Sequence, residues 1–135
     1  MWPRSAWDAI IAFPLCHPLA PDPATITVIP ARRIHILDGD GDGRGGGHLS
    51  GTGVPGKSEF PPWWSDDLVI DAVERVARCP QTVLALQDND FWLVQGTVER
   101  VTVRVVVTPA GLVWTAFPVR GPGVRRVPPG GQVGS

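Results

Sequence analysis

The sequence predicts an α+β domain in which one amphipathic helix packs on an antiparallel four-stranded β-meander. Three observations carry that prediction. Apolar Val69, Ala72, Val73 and Val76 recur at helical spacing behind the capping run Ser65-Asp66-Asp67 and stop at Pro80. Four runs rich in β-branched and aromatic residues follow, separated by short turns. Ahead of both blocks, two histidines flank a loop too glycine-rich to pack as core.

From the N-terminus, residues 1–31 read as an extension, a proline-rich linker or the remnant of an upstream region. Six prolines fall within residues 1–30 and no periodicity is sustained there. The apolar stretch Ala6 to Leu19 makes a poor signal peptide, because Asp8, Pro14 and Pro18 interrupt it and only Arg4 precedes it. The glycine-rich loop follows His35 and is the candidate active-site loop. A helix is expected over 66–78, with Asp66 and Asp67 in its first turn, where negative charge complements the helix dipole. Strands are expected at Thr82 to Gln87, Phe91 to Glu99, Val101 to Thr108 and Leu112 to Val119. Turns at Asp88-Asn89-Asp90 and Pro109-Ala110-Gly111 separate them. From Gly121 to Ser135 the chain is expected to fray as a flexible tail containing Pro128-Pro129-Gly130-Gly131. The folded domain is thereby assigned to residues 32–120.

Composition narrows the function classes. A chain of 135 residues holds one domain and a modest core. The net charge of −1 gives no global positive field, so contacts to a nucleic acid must be local, with Arg32, Arg33, Arg44 and Arg120 as the candidates. Cys16 and Cys79 show neither C-x-x-C nor zinc spacing. They are expected to be unpaired thiols, with a disulfide between them as the alternative. No run approaches the roughly 18 apolar residues that span a membrane, so no membrane partner is expected. A single lysine, 16 Gly and 15 Pro suggest a GC-rich bacterial genome.

Three short motifs lack the context that their chemistry needs. Gly51-Thr52-Gly53-Val54-Pro55-Gly56-Lys57-Ser58 satisfies the P-loop pattern, but no strand precedes it and Pro61 and Pro62 fall where the phosphate-binding helix would start. Asp38, Asp40, Asp42 and Gly43 copy the first half of a calcium loop, whose twelfth position is here Leu49 instead of a bidentate Glu. Gly41-Asp42-Gly43-Arg44-Gly45-Gly46 matches the dinucleotide fingerprint and fails for the same missing strand and helix.

What remains is His35 and His48, thirteen positions apart, with Lys57 beyond them. Two imidazoles converging on one phosphodiester act as base and acid at neutral pH. One takes the proton of a ribose 2′-hydroxyl and the other protonates the departing 5′-oxygen. A lysine beside them stabilises the extra negative charge on phosphorus. The 2′-hydroxyl is the nucleophile, so the chemistry requires no cofactor and no metal ligand, with Mn²⁺ stimulation left open. Gly46 and Gly47 would let backbone approach a phosphate closely.

The runs His35-Ile36-Leu37-Asp38-Gly39-Asp40, Gly46-Gly47-His48, Pro55-Gly56-Lys57-Ser58-Glu59-Phe60-Pro61, Trp64-Ser65-Asp66, Val103-Arg104-Val105-Val106-Val107 and Trp114-Thr115-Ala116-Phe117-Pro118 occur in that order. Together they resemble the bacterial EndoU nuclease domain over roughly residues 32–120. The resemblance implies a helix against an antiparallel sheet, within the wider barnase and colicin-like group of toxins. It implies an endoribonuclease that attacks through the 2′-hydroxyl, often at uridine and with tRNA as a candidate substrate, and leaves a 2′,3′-cyclic phosphate. It makes His35 and His48 the acid/base pair and Lys57 the phosphate-stabilising cation. Thr115 falls where the family has a hydroxyl that contacts base or phosphate. Phe117 replaces a common tyrosine, keeping a ring to stack on a base but losing the phenol. Ser58 replaces a threonine and keeps the hydroxyl.

Members of that family are usually toxin domains of polymorphic or contact-dependent systems. The implied setting is a monomeric secreted or delivered toxin acting in a target cell's cytoplasm, with RNA as substrate and a cognate immunity protein, expected to be acidic, as partner. Two alternatives stand beside this reading: a catalytically impaired RNA-binding remnant of such a toxin and, ranked below it, a P-loop phosphate-binding module.

Overall fold

A helix that the sequence reading did not anticipate, α1 (Pro30–Asp38), opens the domain in the computed structural model, which describes residue 17, residues 20–39 and residues 46–128. Pro30 sits at its first turn, where a missing N–H costs nothing. Gly39, at φ 85°, ends it by donating its N–H to the Ile34 and His35 carbonyls. Only His35, Ile36 and Leu37 are buried along its nine residues, too short a stripe to declare itself by periodicity.

The short strand β1 (Ser58–Glu59) follows, and then α2 (Asp66–Arg78), at the bounds expected from the sequence. Ser65 caps α2 by accepting the Leu68 N–H at 3.2 Å. Val69, Ile70, Ala72, Val73, Val76 and Ala77 form its buried stripe. The strands β2 (Thr82–Leu86), β3 (Trp92–Val98), β4 (Val101–Val107) and β5 (Val113–Arg120) pair antiparallel in the order β2-β3-β4-β5, the expected meander. Strand alternation turns Val94, Val103, Val105 and Ala116 toward the core shared with α2, and each is fully buried. Burial of each valine contributes about 1.5–3 kcal/mol, so this interface holds the sheet to the helix. The opposite face carries Gln95, Arg104 and Phe117, in register across three strands.

Three expectations are corrected. The chain does not fray at Gly121: β6 (Arg125–Arg126) pairs with β1, Val127 is buried, and the Val127 N–H donates to the Lys57 carbonyl at 2.8 Å. A two-residue ribbon has no periodicity to read, and the glycines and prolines around it argued for disorder. The domain also begins ahead of residue 32, because Ile26 is buried and Thr27 forms a parallel bridge with Leu112. Cys79 is disulfide-bonded rather than an unpaired thiol, and the backbone of His17 donates to the neighbouring Pro80 carbonyl at 2.8 Å. Cys16 itself lies outside the described residues, as do Asp40, Asp42, Gly43 and Arg44. No described helix is long and apolar enough to cross a membrane.

Candidate active site

The site is assembled from two segments laid against the edge strand β5. The first pairs α1 with residues 46–49, which run beside the helix C-terminus. There the N–H groups of Gly47, His48 and Leu49 donate to the carbonyls of His35, Ile36 and Leu37, at 3.0, 2.8 and 3.1 Å. These bonds tie the C-terminal carbonyls of α1 to the returning segment and hold the backbones of the two histidines close together. Gly46 lies so close to α1, at φ 68°, that a Cβ would collide with the His35 carbonyl. The Gly47 amide donates to the His35 carbonyl, so in this structure it ties the loop to α1.

The second segment is β1. The Phe60 N–H donates to the His48 carbonyl at 2.7 Å, and the His48 Nδ1 lies 2.6 Å from the Ser58 carbonyl. A carbonyl only accepts, so Nδ1 carries the proton and Nε2 keeps its lone pair. Burial, opposed by this hydrogen bond and reinforced by the charge of Lys57, pushes the His48 imidazole down to about 4. His48 is therefore neutral at pH 7.

The loop between them is held from inside. Glu59, 2% exposed, accepts the Gly53 N–H at 2.8 Å, the Gly51 N–H at 3.2 Å and the Thr52 hydroxyl at 3.3 Å. In a P-loop such amides hold phosphate; here an internal carboxylate occupies two of them, and β1 follows where a helix would be needed. The nucleotide-binding expectation loses its physical basis.

His35, Gly46, His48, Lys57, Ser58, Thr115 and Phe117 line one cleft of about 490 Å³. Seven of the eight residues singled out from sequence thus meet, and Gly47 lies directly behind them. The Phe117 ring packs 5.8 Å from the His48 ring. Sequence reasoning missed five further lining residues, Gly56, Pro118, Val119 and the two charged ones, Arg104 and Arg126. Alternation along Val103-Arg104-Val105 could have marked Arg104 as the polar residue facing away from the core, whereas Arg126 lay in the segment expected to fray.

Two of the arginines expected to meet phosphate make contacts within the protein. Arg33 pairs with Asp67 at 2.8 Å, while Arg32 stacks over Trp114, 3.9 Å from the ring centroid, and donates to the Trp114 carbonyl. Among the aromatics, Phe60 and Trp64 stack in the core, whereas Trp63 is 64% exposed. Among the described residues, no group of three or more His, Cys, Asp or Glu side chains could hold a metal ion.

A family model described as Bacterial EndoU nuclease matches residues 32–120 of this chain, a span containing every cleft residue except Arg126. No curated protein and no solved structure matches the chain.

Proposed function

The chain belongs to the bacterial EndoU nuclease family, and from that premise we propose that it is an endoribonuclease toxin using His48 as general base and His35 as general acid. The observation that carries the assignment is the His48 Nδ1 contact to the Ser58 carbonyl, which, in an imidazole that burial keeps neutral, leaves the Nε2 lone pair available. In this reading Nε2 takes the proton from a ribose 2′-hydroxyl as the 2′-oxygen attacks phosphorus. His35 gives a proton to the departing 5′-oxygen. The products are a 2′,3′-cyclic phosphate and a free 5′-hydroxyl, with no net change in protons. Lys57 stabilises the charge that builds on the phosphoryl oxygens, Thr115 donates a hydroxyl, and Phe117 offers a ring for base stacking.

The Cys79 disulfide suits a protein that folds outside the reducing cytosol, which supports a secreted or delivered toxin. A cognate immunity protein would protect the producing cell. The reaction asks for no cofactor; Mn²⁺ stimulation is read in the same assay.

That assay incubates the purified chain with uridine-containing RNA and with total tRNA, in EDTA and then in Mn²⁺, and reads the product ends. Cyclic phosphate ends are expected, and His35→Ala and His48→Ala each lower the rate by about 10²–10⁴-fold. In kcat/KM against pH the acid limb falls near the free-enzyme value of His48, well below pH 6.5. Intact RNA with a folded protein would overturn the enzyme in favour of the RNA-binding remnant.

A further inference from the structure

We propose that Arg104, oriented by Gln95, forms a phosphate subsite for the nucleotide next to the cleaved bond, an inference that rests on the RNA-cleaving reading above. Gln95, Arg104 and Phe117 stand opposite one another on β3, β4 and β5. Phe117 is the residue whose ring touches His48, so the histidines lie on the β5 side of Arg104. The Arg104 Nε donates to the Gln95 Oε1 at 2.9 Å, which draws the guanidinium toward β3 and away from the reacting centre. Neighbouring strands are about 4.8 Å apart, so this lean displaces the charge toward an adjacent phosphate rather than the one under attack.

The chemistry of the pair supports an anion. Arg33, Arg75 and Arg78 each have a carboxylate within ion-pairing distance, whereas among the described residues Arg104 has none, although it is half-buried and lines the cleft. Partial burial of a charge without a counter-charge is unfavourable, and a bound anion removes that cost. Gln95 is a neutral acceptor, so it orients the arginine without cancelling its charge. With Nε engaged, the two terminal nitrogens remain as a fork that fits two phosphate oxygens. A phosphate contact of this kind strengthens binding without reading bases.

The test uses the full chain and uridine oligonucleotides carrying 2′-deoxyribose at the cleavage position, which bind but lack the nucleophile. A dinucleotide has one phosphate and a hexanucleotide supplies the neighbouring ones, and NMR titration measures both affinities. Arg104→Met is expected to weaken the hexanucleotide roughly tenfold and leave the dinucleotide unchanged. The salt dependence of hexanucleotide binding should become shallower by about 0.7 in log–log slope. Gln95→Glu, which supplies the missing carboxylate with Arg104 still present, should reproduce the loss. Equal weakening of both oligonucleotides, or no weakening of the hexanucleotide in either variant, overturns the subsite. Cleavage of ordinary RNA by the wild-type chain is scored separately. Length-dependent binding without cyclic ends would overturn the nuclease reading while leaving the subsite in place.

Discussion

His48 is the residue on which the candidate site and stability meet. It is 6% exposed, and its desolvation cost falls entirely on the protonated form. The free imidazole titrates near 6.5 and the folded one near 4, so between those values the unfolded chain binds a proton that the folded chain does not. The contribution of this group to stability therefore rises with pH across this window and is flat above it. Lowering the pH from about 7 to 4 should remove up to about 3 kcal/mol through this group. Thermal melts of wild type and His48→Gln at a series of pH values check this: the wild-type curve should fall more steeply below pH 6.5. Parallel curves would show that the buried imidazole is not the cause. The His48 partners were invisible in the sequence, because nothing in a linear pattern says that a histidine will face the carbonyl of a residue ten positions on.

At the scale of elements, the cleft depends on a loop built around one buried carboxylate. Glu59 alternates with Ser58 in β1: the serine carbonyl orients His48 while the glutamate gathers Gly51, Thr52 and Gly53. Glu59→Gln keeps the volume but replaces one acceptor oxygen with a donor. It is expected to cost about 1–3 kcal/mol in denaturant unfolding and to speed hydrogen exchange at the Gly51 and Gly53 amides. Unchanged exchange would mean that the loop holds itself without the carboxylate. The helix α2 was legible because cap, acidic first turn, apolar stripe and terminating proline agree. In contrast α1 was not, since nine residues behind a proline-rich stretch offer only three buried positions. Pro30 read as linker composition is, in place, a helix start.

Across the whole molecule, the segment expected to fray closes the site. β6 completes a ribbon with β1, Val127 is buried, and Arg126 reaches the cleft. Truncation after Pro122 should lower Tm by roughly 5–10 °C, corresponding to about 2 kcal/mol from the lost valine burial and backbone bonds. It should also reduce cleavage, because β1 carries the His48 partner. A true loose tail would leave both unchanged.

By itself the sequence determined the α+β class, the α2 bounds, the meander and the seven residues that meet in the cleft. Each of these rests on short-range patterns: helical spacing, strand alternation, turn residues and ordered motifs. Only the tertiary structure decided the α1 helix, the β1–β6 ribbon, the engagement of Cys79 in a disulfide, the Ser58 partner of His48 and the place of Arg104. Those depend on contacts between distant segments, where burial and hydrogen-bond partners, rather than local periodicity, set the charge and direction of a side chain.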